Sequence, residues 1–124
     1  MTFKTFAVAV ALVLVSALPA AAQGMCAEPI APAAIDGATA TGAQIQAALL
    51  DVKTFLKQSD DYQDCLLREL NEAKADALKA KKDVDPSLEP AMNKKVQANQ
   101  ALKEKVGAEF NAAALAYNAK HPGK

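Results

Sequence analysis

The chain has 124 residues, and its 14 basic and 14 acidic side chains cancel to a formal net charge of zero. Nothing in that balance suggests nucleic-acid binding, which calls for a basic patch or stripe. Aromatic residues make up 5% and tryptophan is absent, so the core is expected to be thin, and a thin core in a small chain calls for a staple.

The first 22 residues, MTFKTFAVAVALVLVSALPAAA, combine Lys4, an apolar run from Phe6 to Leu18 and three small residues, Ala20, Ala21 and Ala22. This is the layout of a secretory signal peptide and predicts export with cleavage after Ala22. The run is shorter than the roughly 20 apolar residues needed to span a bilayer, and no second such run follows. A lipidated Cys26 is the weaker reading, because Gln23, Gly24 and Met25 lack the Leu-small-small pattern expected before it. Residues 23–40 follow as an extended strap. Pro29 and Pro32 forbid a regular helix there and favour a polyproline-like path, and Asp36-Gly37 signals a turn.

Thr41, with Gln44 three residues on, fits a capping box and opens a helix expected over about 41–82. Ile45, Leu49, Val52, Leu56, Ser59, Gln63, Leu66, Leu70, Ala73, Ala77 and Ala80 recur in steps of three and four. That is the stripe of an amphipathic helix, and Phe55 and Tyr62 widen it. Lys57–Asp61, Asp64–Arg68, Arg68–Glu72 and Lys79–Asp83 are spaced to pair on the wet side. Pro86 and Pro90 break the pattern, with Asp85 and Ser87 as candidate caps. A second helix, expected over about 87–118, repeats the period with Met92, Val96, Asn99, Val106, Phe110, Ala113 and Tyr117. Residues 121–124 form a tail. Two helices with so short a connection pack antiparallel. Ser59, Gln63 and Asn99 interrupt the apolar seam and are read as register-fixing hydrogen-bonding groups.

Cys65 lies mid-helix beside Asp64 and one turn after Asp61, a negative surrounding that disfavours a reactive thiolate. The one other cysteine is Cys26. With an export signal present, two cysteines most simply form one intramolecular disulfide, Cys26–Cys65. The lengths allow it. A helix from Thr41 to Cys65 rises about 36 Å at roughly 1.5 Å per residue. An extended chain from Cys26 to Thr41 reaches about 46 Å at roughly 3.1 Å per residue. Running back along the first helix, Ile30, Pro32 and Ile35 are expected to cover apolar surface that the shorter second helix leaves bare. The expected fold is therefore all-α: a long antiparallel two-helix hairpin with an extended, proline-containing N-terminal strap held by a disulfide.

Other constellations read as surface. Asp60, Asp61 and Asp64 offer oxygens to a cation, but a calcium site needs a loop that wraps round the ion, so they are taken as a solvated acidic face. His121, the single histidine, lies in the tail without a second ligand or an arranged carboxylate. Ser59 and Ser87 have no histidine nearby in sequence, and no nucleophile, phosphate-loop or zinc motif occurs. No catalytic, cofactor or metal residues are assigned, and the chain is read as a non-enzyme.

Cys26, Pro29, Pro32, Asp36-Gly37, Thr41, Val52-Lys53, Tyr62, Cys65-Leu66, Asn99, Phe110-Asn111 and Tyr117 together resemble a group of small, uncharacterised exported helical proteins of Gram-negative bacteria. The resemblance covers nearly the whole mature chain. It implies a stapled helical domain in the periplasm and brings no activity with it. The expected role is a non-enzymatic binding or envelope-associated accessory module, with a protein partner or a second copy on the helical face. The alternative is a small-ligand or metal-binding protein, using either the polar seam or the acids at Asp60, Asp61 and Asp64.

Overall fold

Thr41 stands in extended conformation at the start of α1 (Gly42–Lys79), and its capping box with Gln44 closes as the spacing predicts. The Gln44 amide donates to Thr41 Oγ1 at 3.2 Å, and the Thr41 amide donates to Gln44 Oε1 at 2.8 Å. Two amides that the first turn cannot pair internally are thereby satisfied. The computed structural model describes residues 26–123; the expected signal peptide lies outside the described residues.

α1 ends three residues before the expected Lys82. Lys81 takes φ +52°, its amide donates to the Leu78 carbonyl, and the Lys82 amide donates to Ala77. This is a Schellman closure with lysine in the left-handed position where glycine is usual. Charge spacing gives no hint of such a stop, because the pattern of side chains runs straight through it. α2 (Leu88–Lys120) starts behind Asp85, whose carboxylate accepts from the Ser87 amide at 2.9 Å and the Ser87 hydroxyl at 2.8 Å. Asp85 is therefore the capping side chain, and Ser87 makes no side-chain cap bond. Pro90 falls in the first turn, where its missing amide costs nothing.

The helices run antiparallel. Lys74 pairs with Glu89 near the turn, Gln63 meets Asn99 midway, and a Cβ at Gly42 would touch the Tyr117 hydroxyl at the open end. α2 thus reaches the start of α1, which corrects the expectation that α1 would be left bare there. Val52, Phe55, Ser59, Tyr62, Leu66 and Leu70 of α1 are buried against Asn99, Val106 and Ala113 of α2. Phe55 and Tyr62 sit at the centre of the seam, while Leu56 and Gln63 are half-buried at its flank.

The strap forms a third layer across the seam. Cys26 is bonded to Cys65, with Cα atoms 5.6 Å apart. Ala31 packs on the cluster of Val52, Phe55 and Val106. Gly37 then reaches α2 so closely that an added Cβ would lie 1.7 Å from the Ala113 carbonyl oxygen. A glycine is required there by proximity, since any side chain would occupy backbone of the neighbouring helix. The strap therefore crosses from one helix to the other instead of tracking α1 alone. Ile30, expected to cover apolar surface, is 89% exposed, whereas Pro32 and Ile35 are half-buried. Among the described residues, no helix is long and apolar enough to cross a membrane.

Candidate binding cleft

The polar residues of the seam are brought together and closed. Asn99 donates through Nδ2 to Ser59 Oγ at 3.3 Å and accepts from Gln63 Nε2 at 2.8 Å. Ser59 and Asn99 are both essentially fully buried. Among the described residues, no buried side-chain nitrogen or oxygen lacks a partner. The layer satisfies itself, so it acts as a register lock between the helices. The groups that the small-ligand reading placed in this seam spend these hydrogen bonds on one another. Lys103, which falls on the seam in helical register, turns its amine to Asp60 at the edge of the layer. Both polar contacts are met only when residue 59 faces residue 99, because a slip of either helix would strand the buried amide and hydroxyl.

The acidic triplet does not converge. Asp60 is taken by Lys103 and Asp61 by Lys57, the latter at 2.8 Å. The Lys57 amine is held above its ordinary value by that hydrogen bond and then by the charge of Asp61. Of the other helical pairs expected from spacing, Asp64–Arg68, Arg68–Glu72 and Lys79–Asp83 do not form among the described residues. Lys74 and Lys103 bridge to the other helix instead, a choice that spacing within one helix does not reveal. Cys26, Cys65 and the Glu69 carboxylate lie within 4.8 Å of one another. Both sulfurs are consumed by the disulfide, and a metal ligand must be a thiolate, so these three do not form a metal centre.

His121 is more than a tail residue. It is the C-cap of α2, its ring stacks on Tyr117 with centroids 4.3 Å apart, and Nδ1 lies 3.0 Å from the Tyr117 carbonyl oxygen. A ring used to finish the helix is not poised as a general base. Tyr62 lies buried beside the strap. Burial pushes its phenol above the ordinary value, and the charges of Glu28 and Glu69 add to the shift.

The concavity that sequence did not reveal lies between the strap and the open half of the hairpin. It is a half-open hollow of about 360 Å³; a more open one of about 460 Å³ lies beside Cys26, Ile30, Tyr62 and Cys65. Pro32, Ala33, Ala34 and Ile35 form the roof of the first, while Ala47, Ala48, Val52, Val106 and Phe110 form its floor and walls. Alanines at 47 and 48 leave room where a leucine would fill it. At the mouth stand Asp36, Asp51 and Glu109, with Thr39 and Gln44. Asp36 is fixed by its own turn. Its Oδ1 accepts from the Ala38 amide at 2.9 Å, Oδ2 accepts from the Thr39 hydroxyl at 3.2 Å, and its carbonyl accepts from the Ala40 amide at 3.0 Å. Glu109 is shared with Lys105 at 3.5 Å on an exposed helical surface. Asp51 has no ion-pair partner among the described residues. No lysine or arginine lines the cleft.

No protein-family model, curated protein or solved structure matches this chain.

Proposed function

We propose that the chain is a non-enzymatic accessory module of the Gram-negative periplasm that works by binding, and that the cleft beneath the strap is its binding element. The observation that carries this reading is how the cleft is held. Its roof is pinned at one end by Cys26–Cys65 and at the other by the Asp36 turn, with Gly37 against Ala113. A cleft held open in this way asks for little ordering when a ligand enters, and reduced ordering cost favours affinity. Export is supported by the signal-like first 22 residues and by the disulfide, which persists in oxidising compartments. Catalysis has no comparable support. Ser59 is enclosed with Asn99, the Ser87 hydroxyl serves Asp85, and the His121 ring serves Tyr117.

A photo-crosslinking residue placed at Ala33, in the roof, and in a second protein at Lys94, on exposed α2 surface, tests the reading in intact cells. The expected result is adducts at Ala33 alone, seen by mass spectrometry of the purified chain and lost in the Cys26→Ser/Cys65→Ser variant. Equal labelling at both positions, or none at Ala33, would overturn the assignment of the cleft.

A further inference from the structure

We infer that the ligand of this cleft is a small amphiphilic organic cation: an ammonium group on a short alkyl or aromatic body. The inference rests on the cleft being the binding element and adds the chemistry of what it takes. Two independent properties lead to it. The interior is apolar, lined by Ile35, Val52, Val106 and Phe110. An apolar body entering it leaves water and gains contact on several sides. The rim is acidic on both helices and on the strap, through Asp51, Glu109 and Asp36, with no cation in the lining.

The three carboxylates are not equivalent. Asp36 spends its oxygens on the turn that anchors the strap, so it contributes charge more than a free acceptor. Lys105 offsets part of Glu109. Asp51 is exposed and makes no ion pair among the described residues, which leaves it the main partner for an incoming cation. An anionic amphiphile would place its head among these charges and is repelled. A neutral one gains nothing at the rim. Phe110 adds an aromatic ring in the wall of the same cleft, and aromatic faces attract ammonium groups. A volume of about 360 Å³ is at the small end of ligand pockets and matches a small organic body.

The test uses three probes with one alkyl chain: hexyltrimethylammonium, hexanol and hexanoate. Each is titrated into the oxidised full-length mature protein by calorimetry, with the melting midpoint as a second readout. Hexyltrimethylammonium is expected to bind saturably and raise the midpoint, because binding to the native state alone must do so. Hexanoate is expected to do neither. Asp51→Asn combined with Glu109→Gln should weaken the cation at least tenfold and leave hexanol unchanged. Raising salt from about 0.05 M to about 0.5 M should weaken the cation as well, since exposed charges at the mouth are screened. Ala47→Leu should block every probe by filling the floor. Equal binding of hexanol and the cation, with no loss in the double variant, would overturn the inference while sparing the cleft. Failure of all three probes to bind would overturn the inference, and if Ala33 also gives no adduct in cells, the cleft falls with it.

Discussion

Removing the disulfide with Cys26→Ser/Cys65→Ser is the most informative perturbation of the fold. The cysteines are 39 positions apart, and in the chain-entropy description a loop of about 40 residues constrains the unfolded chain by about 4 kcal/mol. A domain of this size shifts by roughly 4–8 °C per kcal/mol, so the midpoint should fall by roughly 15–30 °C. The loss should also have a location. The Ser59–Asn99–Gln63 layer and the interhelical pairs Lys74–Glu89 and Lys103–Asp60 do not involve the bond. Helical circular dichroism at low temperature should therefore persist, while a protease should cut within residues 26–40 of the variant and spare that segment in the oxidised protein. Thermal melts followed at 222 nm and mass mapping of the fragments measure both. A loss of about 1 kcal/mol or less would refute the loop-closure reasoning. Cleavage spread evenly along α1 and α2 would refute the separation of strap from hairpin.

Gly37→Ala places a methyl into the Ala113 carbonyl and should cost roughly 1–3 kcal/mol in urea unfolding, towards the upper end because the obstacle is backbone; an unchanged midpoint would show that the strap does not rest on α2. Asn99→Ala leaves the buried Ser59 hydroxyl and the Gln63 amide without their partner and should cost about 1–3 kcal/mol, part of which returns when Ser59→Ala is added. Strict additivity of the two changes would contradict the coupling. The Asp85 carboxyl is held below its ordinary value of 3.8 by the Ser87 amide first and its hydroxyl second. Its contribution is fully present above the unfolded value and lost as pH falls through the lower folded one. An NMR titration should place its midpoint below 3.8, and a value at or above 3.8 would remove Asp85 as the cap of α2.

Much of this architecture is written in local pattern. The Thr41–Gln44 box, the three-and-four spacing and Pro86 with Pro90 each act within a few residues, so they mark elements without knowledge of the fold. The staple is read from the signal-like first 22 residues together with there being two cysteines. What was not legible depends on residues far apart. Gly37 looks like an ordinary turn glycine until Ala113 is seen behind it. Phe55 and Tyr62 are buried in the seam, and Ala31 of the strap, distant in sequence, packs on the cluster that holds Phe55. Lys103 and Lys74 find their acidic partners on the other helix, which spacing within one helix does not reveal. The cleft is not legible in the sequence because its lining comes from the strap and both helices, which only the fold brings together. Its signal, visible only in hindsight, was Ala47-Ala48 in register with the acids at Asp51 and Glu109.

Binding beneath the strap is tested most directly by methyl NMR of the oxidised protein during titration with hexyltrimethylammonium. The expected result is saturable shift changes at Ile35, Val52, Val106 and the alanines at 47 and 48, all in the cleft lining. Leu67 and Leu78, exposed on α1, should stay in place. Changes centred on those exposed leucines, or scattered over both helices without saturation, would contradict a ligand site between the strap and the hairpin.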